Sequence, residues 1–378
     1  MREKQAAYNR YEYWLASLVS LSGRKKIYLR TLFMEAEGLY RARPETLERI
    51  CALTKREQKV IQMAQGRSED ELEDQLEYCI QNQIHLAVWG QEDYPARLEH
   101  IYNPPYALFY RGNFPHSTQR SIGVVGARNC THYGKAVAEQ IGKGLALAGV
   151  RVISGMAAGI DGAAQRGALL GQGSTCAVLG CGVDICYPAG NRKLYEQLAK
   201  EGCIVSEYPP HTQPLALNFP QRNRIISGLS DGVLVVEARE KSGSLITADF
   251  ALEQGKEIYA VPGRISDLSS RGTNHLIRQG AGIFLNMEDF LKEMHIFTKT
   301  EENSSTKKKI VLENSERLVY SCLDLTPRNL EELLSETGLS LGVLMKVLET
   351  LREMGIVSEV YKNYYVRSGI SIEGKNSS

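Results

Sequence analysis

Short, strongly apolar runs alternate with longer amphipathic stretches between about residue 84 and residue 297. The apolar runs are not broken by alternating polar positions, which is typical of strands that are buried on both faces. The stretches between them, such as those beginning at Lys135 and Asn191, carry apolar residues at helical spacing. The alternation predicts an α/β fold with a parallel sheet covered by helices on both sides. The six apolar runs are SIGVVG, VRVISG, TCAVLG, GCIVSE, GVLVVEA and EIYAVPG.

The two ends of the chain have different patterns. Residues 1–80 show helical spacing only, which predicts a small helical domain of the sterile-alpha-motif or helix-hairpin-helix type. Residues 298–310 are polar without periodicity and are predicted to form a linker between the core, residues 84–297, and a last domain. Residues 311–368 fit three helices and a two-stranded ribbon, which predicts a winged helix with Gly338 in its turn.

Composition narrows the classes of function. A chain of 378 residues is expected to hold two or three domains. Its formal net charge is +1, so any contact with nucleic acid must come from local basic patches. Its eight cysteines include no C-x-x-C pair, which favours reduced thiols in the cytoplasm over a zinc site or a disulfide scaffold. Neither a signal peptide nor a membrane span is predicted, and no metal or cofactor site is expected.

Parallel sheets bind ligands at the carboxyl ends of their strands, so candidate binding residues are expected in the loops after the apolar runs. Arg128 follows the first run and is placed to meet a phosphate, although a surface arginine after a tight turn is the alternative. Ser154 and Gly155, with Gly159, are expected to expose backbone N–H groups near a helix start. Asp161 is expected to cap that helix.

The segment KSGSLITADFAL is the strongest candidate anion site. Lys241 precedes a predicted helix start, where free N–H groups and the helix dipole favour negative charge. Ser242, Gly243 and Ser244 complete the candidate site, and an N-capped helix with an unrelated lysine is the alternative. Asn274 is expected to face the same crevice. Several phosphate-binding loops in a row suit a polyphosphate, a large nucleotide or a nucleic-acid strand.

Together these motifs resemble the bacterial DNA-processing protein A family, also called Smf, over about residues 94–284. The resemblance implies an extended Rossmann-like core in a dimeric, single-stranded DNA-binding protein. Such a protein protects incoming DNA during natural transformation and loads a RecA-type recombinase onto it. The resemblance also implies that Arg128 contacts backbone phosphate, that the Gly155 loop lies beside it, and that Lys241 to Ser244 complete the pocket. The matching motifs are GVVGAR, SGMAAGID, GCGVDICYP, FPQRNRIISGLS, KSGSLITADFAL, VPG and GTNHLI.

The resemblance to the family implies that the motif FPQRNRIISGLS lies on the rim of that pocket. Phe219 would stack on a base there, and Arg222 or Arg224 would hold a phosphate. One arginine is expected to pair internally with an acid such as Glu207 or Glu237. Arg222 is the one predicted to face solvent.

An enzyme is the rival class. The same superfamily includes nucleotide phosphoribohydrolases with a catalytic glutamate, and in this chain only Asp249 of KSGSLITAD lies at a comparable position. A plain nucleotide sensor is a third reading. Because no nucleophile has a base paired with it in the motifs, the sequence predicts a binding protein with no catalytic residues.

Overall fold

The computed structural model describes residues 9–50, 52–114, 118–296, 312–324 and 326–367. Six helices come first, and two of them begin with a capping box. In the fifth helix, the Thr54 hydroxyl accepts a hydrogen bond from the Glu57 N–H, and the Glu57 carboxylate accepts one from the Thr54 N–H. Ser68 and Glu71 form the same pair of hydrogen bonds at the start of the sixth. The helices are α1 (Arg10–Ser17), α2 (Gly23–Leu32), α3 (Ala36–Tyr40), α4 (Pro44–Glu48), α5 (Lys55–Gln65) and α6 (Glu69–Gln81).

A nine-stranded sheet forms the centre of the molecule, in the order β1-β2-β6-β5-β4-β3-β7-β8-β9. Strands β3 to β9 are parallel, whereas β2 pairs antiparallel with both β1 and β6. The strands are β1 (His85–Val88), β2 (Ala107–Gly112), β3 (Ser121–Val125), β4 (Arg151–Ser154), β5 (Thr175–Leu179), β6 (Cys203–Ser206), β7 (Gly232–Val235), β8 (Glu257–Ala260) and β9 (Gly282–Ile283).

Helices cover both faces of the sheet. Val124 packs in a cluster with residues of α7 and α8, whereas its neighbour Val125 packs with residues of α10 and α11. Successive residues of a strand point to opposite faces, so these clusters lie on opposite sides. The predicted parallel α/β core is therefore confirmed. The helices are α7 (His132–Leu147), α8 (Ile160–Leu170), α9 (Arg192–Glu201), α10 (Asn218–Gly228), α11 (Gly243–Glu253), α12 (Arg271–Arg278) and α13 (Met287–Glu293).

The N-terminal helices pack directly on the sheet. Trp14 and Leu15 of α1 are buried in one apolar cluster with Phe109 of β2 and Ile204 of β6. The Tyr106 phenol just before β2 donates a hydrogen bond to the carboxylate of Glu12 in α1. The helical unit and the sheet therefore share a core. Within the described residues, no helix combines the length and apolar character needed to cross a membrane.

The last unit has its own apolar core, which includes Val319, Leu344 and Leu348. Gly338 adopts a left-handed conformation between the second and third helices of this unit, where the sequence places a turn. The predicted linker, residues 298–310, lies outside the described residues. The elements are α14 (Asn314–Cys322), β10 (Arg328–Asn329), α15 (Leu330–Thr337), α16 (Leu341–Glu353), β11 (Val357–Tyr361) and β12 (Tyr364–Arg367), with the strands in the order β10-β12-β11.

Candidate nucleic-acid interface

A cleft of about 640 Å³ opens at the carboxyl ends of β3 and β7. These neighbouring strands mark the point where the strand order reverses, because β4, β5 and β6 extend the sheet on one side and β8 and β9 on the other. Open parallel sheets bind ligands at such switch points, because the loops after the two strands diverge and leave a crevice. The loops after β3 and β7, the start of α10 and the start of α11 line this cleft.

Three exposed cations line the cleft. Arg128 follows β3, and Arg239 and Lys241 follow β7, so the three come from adjacent strand ends. In the part of the chain that the structure describes, none of them forms a salt bridge, which leaves their charges free for a ligand. Arg239 was not among the predicted site residues, although its position shortly after a buried strand is the same signal that identified Arg128.

The start of α11 faces the same cleft. The Ser242 hydroxyl caps the helix by accepting the N–H of Ser244 at 3.4 Å, and it lies 2.8 Å from the Ser244 hydroxyl. The Asn223 side-chain amide of α10 donates to the Gly243 carbonyl at 3.2 Å and ties the two helices together. The Ser242 N–H donates to the Arg239 carbonyl at 3.0 Å, so the Gly243 N–H and the positive end of the helix dipole are what add to the charge of Lys241. The structure thus brings Lys241, Ser242, Gly243 and Ser244 together with Arg128, in one cleft.

Gly159 allows the loop that carries Arg128 to lie against the loop after β4. Its backbone has φ 77° and ψ −127°, a combination that L-residues avoid. A Cβ atom there would lie 2.3 Å from the Ala127 carbonyl oxygen and 2.4 Å from that of Arg128. The adjacent N–H of Ile160 donates to the Ala127 carbonyl at 3.2 Å. The position of Arg128 therefore depends on this glycine.

We expect Gly159→Ala to lower the free energy of unfolding by about 2 kcal/mol, because backbone strain and a backbone clash add up. Gly149→Ala is the matched control, since Gly149 has φ +73° with nothing within 4 Å of a Cβ atom. The control should cost about 1 kcal/mol from strain alone. Urea denaturation of both variants measures the difference, and equal losses would show that the contact with the Arg128 loop carries no weight.

The loop after β4 corrects two predictions. Ser154 and Gly155 are buried rather than exposed. The Ser154 hydroxyl donates to the Val124 carbonyl at 2.6 Å, and the Gly155 N–H donates to the Asp161 carboxylate at 3.1 Å. The Gly155 N–H is therefore bonded within the turn, and the Ser154 side chain is buried and bonded to β3, so neither group is placed to meet a ligand in the cleft.

Asp161 orders the loops instead of capping the helix. It lies inside the first turn of α8, whose capping position is Gly159. Burial raises the pKa of its carboxyl group, against the opposing effects of the nearby Arg222 charge and of backbone N–H groups from Gly155, Gly126 and Ala157. A buried carboxylate that accepts several N–H groups holds the strand ends in place.

The prediction that Arg222 faces solvent is wrong. Its side chain is 4% exposed, and its Nη1 donates to the carbonyls of Gly155, at 2.9 Å, and Val178. Burial lowers the pKa of Arg222, and the Asp161 charge opposes that shift. A Cβ atom on Gly155 would lie 2.6 Å from the guanidinium nitrogens, so the glycine makes room for this arginine. Arg222 forms the floor of the cleft and links the ends of β4 and β5.

Arg224 is also buried, on a different side of α10. Its Nη2 donates to the Glu207 carboxylate at 2.7 Å, and Glu207 is one of the two acids expected as an internal partner. Arg224 does not line the cleft. Because both arginines are buried, the cations that face solvent at this site come from the loops after β3 and β7.

Phe219 and Tyr187 form an aromatic pair in the cleft. Their rings stack with centroids 5.3 Å apart and an interplanar angle of 27°. The guanidinium carbons of Arg128 and Arg222 lie over the Phe219 ring, at 5.4 Å and 5.9 Å from its centroid. Phe219 was predicted as a site residue, and Tyr187 was not.

Asn274 lies outside the cleft lining, and its amide is engaged elsewhere. Its side chain accepts the Gly263 N–H at 3.1 Å and donates to the Gly263 carbonyl at 3.0 Å. The expectation that Asn274 faces the same crevice is therefore wrong, because both polar atoms hold the loop after β8. Asp249 and His275 line a second cleft of about 460 Å³, which shares the Lys241–Gly243 segment with the first.

The fold and the cleft define a Rossmann-like protein with a basic cleft at its topological switch point. The family model described as DNA recombination-mediator protein A matches residues 85–295, which is more than half of the chain. The protein belongs to this family of DNA-processing proteins.

Curated relatives agree with this assignment. The chain is 45% identical over 206 residues to the DNA processing protein DprA of Bacillus subtilis, covering 54% of this chain and 69% of the relative. It is 42% identical over 238 residues to protein Smf of Escherichia coli, covering 62% of this chain and 64% of the relative.

Two solved structures are similar. The DNA processing protein A of Streptococcus pneumoniae aligns with a TM-score of 0.65 and 33% identity, covering 76% of this chain and 98% of that one. The DNA processing protein A of Helicobacter pylori aligns with a TM-score of 0.51 and 30% identity, covering 56% of this chain and 96% of that one. That structure is described as showing a unique single-stranded DNA binding mode.

Proposed function

We propose that this protein binds single-stranded DNA in the cleft between the ends of β3 and β7. Arg128, Arg239 and Lys241 would hold backbone phosphates, together with the Gly243 N–H and the hydroxyl groups of Ser242 and Ser244. The observation that carries the proposal is the convergence of three exposed cations, none in a salt bridge within the described residues, with the start of α11. Guanidinium and ammonium groups beside a helix N-terminus suit phosphate oxygens.

The chemistry of the cleft favours a single strand over a duplex. Its cations meet phosphates, and its aromatic pair offers a surface for an unpaired base. Base-specific hydrogen bonding is not needed for such binding, so we expect little sequence preference. The single-stranded DNA binding of the Helicobacter pylori relative supports this proposal.

Fluorescence anisotropy with a labelled 30-nucleotide strand, and with a blunt duplex of the same length, tests the function. We expect the single strand to bind at least tenfold more tightly than the duplex at one salt concentration. Equal affinity for the duplex would contradict the proposal, because a duplex buries the base faces that the aromatic pair would contact.

We further propose that the protein protects incoming DNA and loads a RecA-type recombinase during natural transformation, as a homodimer in the cytoplasm. The family description as a recombination mediator supports this role. Sedimentation of the full chain tests the dimer. The rate at which a recombinase assembles on a strand precoated with a single-strand-binding protein tests the loading.

We propose that the protein is not an enzyme and that its last unit is a winged helix. Asp249, which a phosphoribohydrolase mechanism would need, lines the smaller cleft and not the cleft that Arg128 lines. The three helices and the small antiparallel sheet of the last unit support the winged helix. The proposed domains are the core at residues 84–297, a linker at 298–310 and the winged helix at 311–368. Adenine release from AMP that disappears in Asp249→Ala would favour the enzyme instead.

A further inference from the structure

Phe219 is half-buried, and its ring already has neighbours on several sides. Tyr187 stacks against its ring, and the guanidinium groups of Arg128 and Arg222 lie over it. Gly180 adjoins the ring so closely that a Cβ atom there would lie 2.9 Å from Phe219 Cδ1. The adjacent Asn218 amide donates to the Gly180 carbonyl at 3.0 Å and fixes the start of α10. Neighbours on several sides therefore hold the Phe219 ring in one position.

Tyr187 is the outer member of the pair. Its side chain lines the same cleft as Arg128 and Lys241, and the residue is 41% exposed. Among the described ring contacts, Phe219 is its one aromatic partner. A tyrosine stacked on a fixed ring keeps its own orientation, so an incoming base would find a surface that is already ordered.

We propose that Tyr187 is the surface on which one DNA base stacks, and that Phe219 supports it from beneath. This inference rests on the proposed binding of single-stranded DNA and assigns the base contact to a residue that neither the motif FPQRNRIISGLS nor the cations identify. Arg128 lies 5.4 Å from the Phe219 centroid, so a phosphate held by Arg128 would come close to this aromatic pair. Stacking requires only the flat face that every base has, so Tyr187 adds affinity without sequence choice.

The test compares a short thymidine strand with a strand of the same length and charge that carries abasic sites. Wild-type protein should bind the base-bearing strand about tenfold more tightly, because only that strand can stack. Tyr187→Leu should remove this tenfold difference by weakening only the base-bearing complex. Tyr187→Phe keeps the ring and should stay within about twofold of the wild type on both strands.

Tyr102→Leu is the matched control, because Tyr102 is 77% exposed and does not line the cleft. Its affinity for both strands should equal that of the wild type. Thermal unfolding of each variant shows whether the fold is kept. Equal weakening of both complexes by Tyr187→Leu would overturn the inference, since Tyr187 would then act through the loop and not through a base. Unchanged binding of the thymidine strand would overturn it as well.

The comparison also separates this inference from the function on which it rests. If the wild type binds abasic and base-bearing strands equally and tightly, the stacking role is refuted and phosphate binding stands. If it binds neither strand, the proposed function itself is refuted.

Discussion

Arg222→Met is expected to lower the free energy of unfolding by about 3–5 kcal/mol, although the residue lines the cleft that is proposed to bind DNA. The guanidinium is buried and donates hydrogen bonds to the carbonyls of Gly155 and Val178. Its positive charge also compensates the negative charge of the buried Asp161 carboxylate. Methionine fills similar space without a donor or a charge, so it leaves buried acceptors and a carboxylate without compensation. Urea denaturation at neutral pH measures the loss.

Arg239→Met is the matched control for Arg222. Arg239 lines the same cleft but is exposed, so its replacement should change the free energy of unfolding by less than about 0.5 kcal/mol. A loss below about 1 kcal/mol in Arg222→Met would contradict the structural role. If that variant were also folded and unable to bind DNA, Arg222 would be a direct contact and not the floor of the cleft.

The double variant Arg128→Ala/Lys241→Ala is expected to weaken single-stranded DNA binding by about 3 kcal/mol, which is more than a hundredfold. Each charged hydrogen bond to phosphate contributes about 1–3 kcal/mol, and the two residues come from separate loops. The fold should be kept, since both side chains are exposed. Titration of a labelled strand measures the affinity.

Lys143→Ala/Lys200→Ala provides the control for net charge. Both lysines are exposed and neither lines the cleft, yet their loss changes the net charge by the same two units. This control should bind DNA within about threefold of the wild type, because charges far from the strand are screened by salt. Similar losses in the two double variants would mean that general charge, and not the cleft, governs binding.

The sheet could be predicted from the sequence because its central strands are buried on both faces. All six apolar runs became strands, β3 to β8, and the loops after β3 and β7 carry Arg128 and Lys241 as expected. The antiparallel pair β1 and β2 was not predicted. A short 3-10 helix at residues 96–98 lies between these two strands, so the alternation of strands with long helices that identified the others does not extend to this pair.

The two arginines of α10 could not be assigned from sequence. Residues two apart on a helix point about 200° away from each other, which suggests one buried and one exposed side chain. Helix α10, however, contacts β5 and α11 and also the segment at residues 96–98. The side chains of Leu98 and Ile101 lie close to Gly228, the last residue of α10. Because the helix is covered on more than one side, both arginines are buried. That coverage comes from parts of the chain distant in sequence.

Tyr187 and Arg239 show the same limit at the site. The motif GCGVDICYP gives no sign that Tyr187 will stack on Phe219, which lies 32 positions later in the chain. Arg239 stands beside Glu240 in a loop, and only the tertiary structure shows that its side chain lines the cleft. Spacing predicts which strand end a residue follows, whereas the direction of a loop side chain depends on the packing around it.

The salt dependence of single-stranded DNA binding tests the central claim most directly. The logarithm of the association constant should fall linearly with the logarithm of salt concentration, with a slope of about −0.7 for each phosphate contact on a single strand. Removing Arg128 and Lys241 together should make this slope shallower by about 1.4, since two contacts are lost. The Lys143→Ala/Lys200→Ala control should keep the wild-type slope. An unchanged slope in Arg128→Ala/Lys241→Ala would contradict the assignment of phosphate binding to the cleft between β3 and β7.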